Sequence, residues 1–320
     1  MHVIIKRLKS WLVKAVSVFL PQKQAIALDR WRRGQEEYRK CQLCEYVFAS
    51  YGKSGRTWMR VLLSRYYQQT YALPERILMG FENFHRMNAK IPRIFFTHDN
   101  YLRTFTGNTD SKKDFYNKKV VLLVRRPQDV AVSLFFQWKH RMRPGKMAMN
   151  HYPPAGSDIS IYDFVMNPDC GVPHIIDFLN LWARELPNID HLLMVRYEDM
   201  RVQPEKELAR IIKFLGMDPD DKRIRETIEF SSIENLRKLE KENYFRRGSR
   251  LKAKDSSNPD SFKVRRAKVG GYRDYFDDAQ VATIDALVNT RLCEVFGYAT
   301  DEPATPGTTI ADKAAARGSA

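Results

Sequence analysis

The chain has 320 residues, of which 43% are hydrophobic and 12% aromatic, and its formal net charge is +16. This length and composition allow one large folded core and exclude a wholly disordered chain. The positive charge favours anionic partners, such as nucleotides, nucleic acids, acidic glycans or anionic lipid surfaces, but it does not choose among them.

The first 20 residues, MHVIIKRLKSWLVKAVSVFL, are both basic and apolar. They are too short and too charged to span a bilayer, and Lys14 interrupts any signal-like apolar core. Wound as a helix, they place apolar residues on one face and Lys6 and Lys9 on the other, which is typical of a helix lying in an anionic membrane surface. A helix packed on the domain's own surface explains the pattern equally well.

The four cysteines make no disulfide framework for a chain of this length. Cys41 and Cys44 form a CxxC pair, but no second CxxC or HxxxH follows to complete a tetrahedral zinc site. We expect a reduced pair, no metal, and a cytoplasmic location that is peripheral at the membrane if the N-terminus binds lipid. We divide the chain into an amphipathic helical extension (1–40), a main domain (41–300) and a disordered tail (301–320).

Four apolar runs bounded by turn residues predict buried strands, at Tyr46–Ser50, Ile94–His98, Val120–Val124 and Leu192–Val195. Amphipathic segments of helical length accompany them, at Thr57–Gln69, Gln128–Lys139, Ile175–Arg184, Pro204–Leu215 and Asp278–Val295. This alternation predicts an α/β fold with a central parallel sheet flanked by helices, whose ligands lie beyond the carboxyl ends of the strands. Two stretches rich in Pro and Gly or in basic residues, Met142–Ser157 and Lys241–Lys268, predict long mobile loops.

The first predicted strand runs into Tyr51-Gly52-Lys53-Ser54-Gly55-Arg56-Thr57-Trp58, and a helix follows. A glycine turn that leads into a helix N-terminus favours an anion, because free backbone N–H groups and the helix dipole point at it. The spacing is not that of a Walker loop, because Lys53 precedes the second glycine. An ordinary strand-to-helix turn is the alternative to this P-loop-like phosphate cradle.

The octapeptide is similar to the 5′-phosphosulfate loop of cytosolic-type sulfotransferases that use 3′-phosphoadenosine 5′-phosphosulfate (PAPS), which typically reads Y-P-K-S-G-T-T-W. Gly52 and Arg56 depart from that pattern. The resemblance implies that Lys53 holds the 5′-phosphate and the bridging oxygen and that Trp58 stacks on adenine. It implies that the remaining cofactor contacts of this loop come from Ser54, Gly55, Arg56 and Thr57.

A second segment, Val124–Ser133, resembles the family's 3′-phosphate motif C-R-N-P-K-D-V-A-V-S. The resemblance implies that Arg125 and Ser133 bind the 3′-phosphate. The two residues are eight apart, about two helical turns, so both side chains can face one phosphate. An isolated Arg-Arg-Pro would instead be a solvated helix start.

A third segment, Arg265–Tyr272, looks like the family's R-K-G-x-x-G-D-W. The resemblance implies that Arg265 and Arg266 grip the 3′-phosphate. Ala267 stands where the family has a glycine whose backbone approaches the phosphate closely, so it would strain that contact or pack more tightly. On its own, this segment would be a solvated basic face.

Smaller matches imply the adenine site. Tyr197 follows the last predicted strand, as in the family, where that tyrosine contacts adenine. Ser231-Ser232-Ile233 stands where the family has T-S-F, so Ser231 and Ile233 are implied cofactor contacts, although Ile233 lacks an aromatic face. The resemblance covers roughly residues 45–296.

The family's K-T-H motif matches Phe96-Thr97-His98, which implies that His98 is the general base. A histidine suits this role at neutral pH, and a strand's carboxyl end is the right place for it. A buried structural histidine is the alternative. Because Phe96 replaces the family's lysine, we expect Arg56 or Arg103 to supply the missing cation.

Together these motifs predict a sulfotransferase that moves a sulfuryl group from PAPS to an acceptor hydroxyl by in-line displacement, without a metal. Lys53 would stabilise the leaving oxygen, and Ser133 would hold Lys53 until the acceptor binds. The amphipathic N-terminus and the basic segments favour a lipid, glycolipid or anionic saccharide as the hydroxyl-bearing acceptor, over a small phenol. Five aromatic residues would either line an apolar acceptor pocket or pack in the core, namely Phe81, Phe84, Phe105, Phe136 and Trp138.

Two other functional classes account for part of the sequence. A P-loop-like kinase or NTPase is the nearest alternative enzyme, but the Walker spacing and a strand-end aspartate for magnesium are missing. A non-catalytic protein that binds an anionic membrane or nucleic acid would explain the charge. RNA-binding signatures are missing, so we expect no nucleic-acid partner, and the sequence leaves the oligomeric state open.

Overall fold

The structure is a computed structural model, and it describes residues 20–245, 251–252, 254–255 and 257–298. The predicted amphipathic helix over residues 1–20 lies, except for its last residue, outside the described residues, as does the predicted tail over 301–320. In the described part of the chain, no helix is long and apolar enough to cross a membrane.

Four parallel strands form one sheet in the order β2-β1-β3-β4. They are β1 Tyr46–Ser50, β2 Ile94–Thr97, β3 Lys119–Val124 and β4 His191–Arg196. Every predicted strand is confirmed, with ends that differ by at most one residue. The chain leaves β1 towards the β2 edge and then returns past β1 to β3, so the topological switch point lies between β1 and β3, where ligands of such sheets bind.

Helices connect the strands and cover both faces of the sheet. The described α-helices are α1 Gln22–Leu43, α2 Arg56–Tyr71, α3 Asn83–Met87, α4 Leu102–Thr106, α5 Pro127–Arg141, α6 Pro144–Met149, α7 Ile161–Met166, α8 Val172–Glu185, α9 Tyr197–Val202, α10 Pro204–Phe214, α11 Asp221–Phe230, α12 Ile233–Lys241 and α13 Asp278–Arg291.

Two apolar cores lie on opposite faces of the sheet. Alternate residues of β3 enter different cores, Val120 with α5, α8 and α13, and Val121 with α2, α10 and α11. Because both faces of β3 are covered, its sequence is a continuous apolar run after Lys119 rather than an alternating one. The α/β fold with a central parallel sheet and flanking helices is therefore confirmed.

Three of the differences from the predicted element boundaries have a clear physical cause. The predicted loop Met142–Ser157 contains α6, because Pro144 at the first helical position has a backbone angle already suited to a helix. The last helix ends at Arg291, four residues early, where Leu292 turns into the core with extended backbone. Helix α1 runs past the expected domain boundary at residue 40, because Cys41 is buried in the main core.

Candidate functional site

A cavity of about 850 Å³ opens at the carboxyl ends of the strands. Each strand end contributes one predicted site residue to its lining, Lys53 after β1, His98 after β2, Arg125 after β3 and Tyr197 after β4. The described lining contains fifteen Lys or Arg residues and three Asp residues, so the cavity is strongly electropositive. Such a cavity is suited to an anionic ligand.

Thirteen of the fifteen predicted site residues line this cavity, namely Lys53, Gly55, Arg56, Thr57, Trp58, His98, Arg125, Ser133, Tyr197, Ile233, Arg265, Arg266 and Ala267. The other two, Ser54 and Ser231, are buried beside it. The Ser231 hydroxyl donates to the carbonyl oxygen of Thr227 at 2.7 Å, and the Ser231 carbonyl accepts from the indole of Trp58 at 3.1 Å. Ser231 therefore positions Trp58 and does not itself face the cavity, in contrast to the expected cofactor contact.

The turn between β1 and α2 has the geometry of an anion cradle. Gly55 precedes α2 with a φ of 94°, and a Cβ at this position would lie 2.7 Å from the ring of Tyr197. Glycine therefore lets that ring close against the turn. No side chain caps the N-terminus of α2 in the described chain, so the backbone N–H groups from Arg56 onward remain available to an anion.

Lys53 lies in this cradle among other cations. Burial, and then the positive charges of Arg141 and Arg125, lower the pKa of the Lys53 ammonium to about 7. Arg125 Nη1 also donates to the carbonyl oxygen of Lys53 at 3.1 Å, which ties the end of β3 to the cradle. An anion between these cations would relieve their repulsion, so the switch point between β1 and β3 fits a phosphate group.

Hydrogen bonds fix the tautomer of His98. Its Nδ1 lies 2.9 Å from the carbonyl oxygen of Ser50, which can only accept, so Nδ1 carries the proton. Its Nε2 accepts from the guanidinium of Arg56, which can only donate. Nε2 is therefore the basic atom of the ring, and Arg56 covers it.

Phe96, which stands in place of the family's lysine, packs against the core of the α2 face. Its ring lies 5.1 Å from that of Phe48, and the guanidinium of Arg60 lies 3.9 Å from its centroid. Of the two arginines expected to replace the lysine, Arg56 is the one that contacts His98, while Arg103 lines the cavity from α4.

Trp58 and Tyr197 form an aromatic corner of the cavity, with ring centroids 5.8 Å apart and planes at 72°. Ile233, at the start of α12, adds apolar lining. The guanidinium of Arg125 lies 4.3 Å from the Tyr197 centroid, and that of Arg201 lies 5.6 Å from the Trp58 centroid. An apolar corner flanked by cations fits a purine that carries phosphates.

Arg265 and Arg266 are held by the hydroxyl of Tyr275, which accepts from both guanidinium groups. Arg265 also packs over the ring of Phe136, at 3.8 Å from its centroid. Ala267 has a φ of 52°, a left-handed conformation that costs a non-glycine residue about 1–2 kcal/mol. Of the two expectations for Ala267, the backbone geometry favours strain.

A buried carboxylate that the sequence analysis did not assign holds one end of this basic segment. Asp129 on α5 is 4% exposed and accepts from the backbone N–H groups of Gly270 at 2.8 Å and Tyr272 at 3.0 Å. The guanidinium of Arg125 lies 3.9 Å from the same carboxylate. Asp129 therefore positions both the segment and one of the cavity's arginines.

A second buried carboxylate holds the other end. Glu240 on α12 is 1% exposed and accepts from the backbone N–H groups of Lys263 at 2.8 Å and Val264 at 3.1 Å. The guanidinium of Arg141, which lines the cavity, lies 3.5 Å away. Nothing in the sequence near Glu240 distinguished it from the exposed acids of an amphipathic helix.

Replacing Asp129 by alanine should lower the free energy of unfolding by on the order of 2–4 kcal/mol, because two buried N–H groups lose their acceptor. The affinity for the nucleotide ligand should fall about tenfold, because the segment that carries Arg265 and Arg266 loses one of its two carboxylate anchors. Urea unfolding and calorimetric titration measure the two effects. The exposed Asp190→Ala is the matched control and should change neither, and wild-type stability in Asp129→Ala would contradict the anchoring role.

The five aromatic residues considered for an apolar acceptor pocket do not line the described cavity. Phe84 and Trp138 are buried in the cores, as the core-packing alternative expects. Phe105 packs against Tyr38 of α1, with ring centroids 5.6 Å apart, and Phe136 lies under Arg265. The pocket interpretation was therefore wrong, because aromatic character alone does not separate a cavity wall from a packed interior.

Comparisons with known proteins agree with the motifs. The family model for the sulfotransferase domain matches residues 45–296. Cytosolic sulfotransferase 13 from Arabidopsis thaliana is 26% identical over 266 residues, covering 78% of this chain and 76% of the relative. Flavonol 3-sulfotransferase from Flaveria bidentis is 24% identical over 265 residues, covering 78% and 81%.

Two solved structures share the fold at low identity. Mouse sulfotransferase SULT7A1 complexed with PAP has a TM-score of 0.50 and 20% identity, covering 78% of this chain and 84% of its own. Retinol dehydratase in a complex with retinol and PAP has a TM-score of 0.52 and 18% identity, covering 81% and 83%. These likenesses support the arrangement of strands and helices described above.

Proposed function

The chain belongs to the sulfotransferase domain family, and we propose that it moves a sulfuryl group from PAPS to a hydroxyl group of its acceptor. The observation that carries this proposal is the cationic cavity at the strand ends, where burial and then neighbouring positive charges lower the pKa of Lys53 to about 7. The presence of PAP in two proteins of the same fold supports the choice of nucleotide.

The residues of the cavity fit a nucleotide that carries phosphate groups at both the 3′ and the 5′ position of its ribose. The cradle before α2 suits the 5′ end, where Lys53, Thr57 and the backbone N–H groups of the helix would bind it. The aromatic corner of Trp58 and Tyr197 suits adenine. The 3′-phosphate would be bound by Arg125, Ser133, Arg265 and Arg266.

His98 would act as the general base of an in-line displacement, accepting the proton of the acceptor hydroxyl at Nε2. Because Arg56 covers Nε2, its guanidinium must first leave the ring. We propose that Arg56 then lies beside the transferred group and supplies the positive charge that Phe96 lacks.

When bound, PAPS supplies the sulfuryl group and a phosphate oxygen as leaving group. Lys53, Thr57 and the N-terminus of α2 would donate to that oxygen as negative charge gathers on it. Ser133 lines the cavity from α5, and we propose that its hydroxyl restrains Lys53 until the acceptor binds. Among the described residues, no group of His, Cys, Asp and Glu side chains is arranged to hold a metal ion.

The acceptor is proposed to be a hydroxyl-bearing lipid, glycolipid or saccharide. The Flaveria relative is named for a flavonol, which supports a hydroxyl acceptor. Relatives named cytosolic support a cytoplasmic location. Association of the N-terminal segment with an anionic membrane rests on its basic, apolar sequence alone and stays a prediction.

Purified protein should bind adenosine 3′,5′-bisphosphate (PAP) at least about tenfold more tightly than 5′-AMP. The arginines of the cavity would meet a 3′-phosphate that AMP lacks, and a charge-assisted hydrogen bond contributes about 1.5–3 kcal/mol. Isothermal calorimetry with PAP, AMP and ATP measures the preference. Equal affinities for PAP and AMP would remove the nucleotide assignment, and preference for ATP with magnesium would favour a kinase.

Arg265→Gln should reduce the difference in affinity between PAP and AMP, because Arg265 is one of the proposed 3′-phosphate ligands. Arg225→Gln is the matched control, since Arg225 is exposed on α11 and does not line the cavity. Both variants change the net charge by the same amount. A similar loss in both would indicate a general charge effect and not a specific phosphate contact.

A further inference from the structure

Part of the cavity is lined by cations that belong to none of the nucleotide motifs. They come from α1, from α4 after the His98 strand, and from the region around the start of α6. We call this set the basic wall, and it consists of Arg30, Arg33, Arg103, Arg143 and Lys146. Because these residues lie outside the nucleotide motifs and Arg103 follows the general-base candidate His98 by five residues, we assign the basic wall to the acceptor side.

The acidic residues on this side do not balance the basic wall. Asp99 and Asp169 are the acids of the described lining outside the nucleotide motifs. Asp99 pairs with Lys112 at 2.5 Å, and neither side chain is more than 1% exposed, so its charge is already neutralised within the protein. Arg33 pairs with Asp29 at 3.0 Å, outside the cavity lining. A net positive charge therefore remains on the acceptor side.

Arg103 is a member of the basic wall that lies five residues after His98 and is half-buried. Among the residues that the structure describes, none forms a hydrogen bond or ion pair with its guanidinium, although the side chain is partly buried. Burial, and next the charge of Arg103, lower the pKa of the neighbouring His174. Arg103 is thus placed to bind an anion that comes from outside the protein.

Polar side chains accompany the basic wall in the cavity lining. The amide of Asn100 donates to the side-chain oxygen of Asn150 at 2.9 Å, and Tyr51 and Tyr152 line the same cavity. His174 meets the Tyr51 ring edge-on, with centroids 5.9 Å apart. Amide, phenol and imidazole groups form hydrogen bonds with sugar hydroxyls.

We propose that the acceptor is a saccharide bearing carboxylate or sulfate groups, and that Arg103 binds one such group while a sugar hydroxyl reaches His98. This inference rests on the proposed function, since it takes the nucleotide motifs as occupied by the donor. It selects one acceptor class from those considered above. It also assigns a specificity role to Arg103, which contributes no contact to the reacting hydroxyl itself.

The test uses the full chain saturated with PAP, so that the nucleotide motifs are occupied and cannot bind the probe. Fluorescently labelled chondroitin tetrasaccharide, which carries carboxylates, is compared with its carboxyl-reduced form, which keeps the hydroxyls. We expect the charged form to bind at least about tenfold more tightly by fluorescence anisotropy. A sulfated tetrasaccharide, run alongside, separates carboxylate from sulfate recognition.

Arg103→Gln should remove most of the preference for the charged form and leave PAP affinity unchanged, whereas Arg225→Gln should leave both as in the wild type. Equal binding of the charged and reduced forms, an unchanged preference in Arg103→Gln, or no binding of any charged form would overturn the inference. Failure of PAP to bind in the first step would instead overturn the proposed function, so the two failures are distinguishable.

Discussion

Replacement of His98 by alanine is expected to lower kcat by about 10²–10⁴-fold while the affinity for PAP stays nearly unchanged. The reason is that Nε2, the basic atom of the ring, would meet the acceptor hydroxyl and not the nucleotide. Turnover can be followed as release of PAP from PAPS in the presence of a mixture of flavonols, sterols and saccharides. Affinity for PAP is measured separately by calorimetry.

His191→Ala is the matched control for this experiment. His191 is an exposed residue at the start of β4, at the opposite end of the strand from the cavity, so its loss should leave turnover unchanged. Wild-type turnover in His98→Ala would place the general base elsewhere. A large loss of PAP affinity in that variant would mean that His98 serves the nucleotide site instead.

Replacement of Lys53 by methionine should lower both PAP affinity and kcat, the latter by about 10²–10³-fold, as for other donors to a developing negative charge. The same replacement should also remove the pH dependence of PAP affinity that Lys53 causes in the wild type. In the free protein the pKa of Lys53 is lowered to about 7 by burial and by Arg141 and Arg125. A bound phosphate favours the protonated amine and raises that pKa again. Wild-type affinity for PAP should therefore be full below pH 7 and fall as pH rises above 7, by up to about tenfold per unit.

Calorimetric titrations between pH 7.5 and 9, in buffers of different ionisation enthalpy, detect the accompanying proton uptake. Lys90→Met is the control, because Lys90 is exposed and lies outside the cavity, and it should keep the wild-type proton uptake. If Lys53→Met takes up as many protons as the wild type, the titrating group is not Lys53.

The strands were predictable because each contains an unbroken apolar run, as is typical of a parallel sheet whose faces are covered by helices. Turn chemistry was harder to interpret. Pro144 and Gly145 suggested a loop, yet a proline at the first helical position begins α6 there. Helix ends were set by tertiary packing, as at Leu292, which no local pattern reveals.

Within the site, thirteen of the fifteen predicted residues line one cavity, and those that follow β1, β2, β3 and β4 do so because the carboxyl ends of parallel strands meet at one edge of the sheet. Asp129 and Glu240 were missed as anchors, since a buried acid that accepts backbone N–H groups has the same sequence pattern as a solvated one. The contact between Arg56 and His98 was also not derivable, because it joins two loops through side-chain conformations. Residue type and spacing specify neither of these.

The two carboxylates that hold the basic segment also allow acceptor binding and nucleotide binding to evolve separately. Glu240 fixes where the segment begins, at Lys263 and Val264, and Asp129 fixes where it ends, at Gly270 and Tyr272. Asp260 pairs with Arg265 at 3.4 Å, whereas no described residue of 242–259 forms a hydrogen bond or ion pair with Arg265 or Arg266, so changes before Asp260 are insulated from these two arginines. The sequence before Asp260 can therefore change to suit new acceptors while the nucleotide-binding arginines keep their positions.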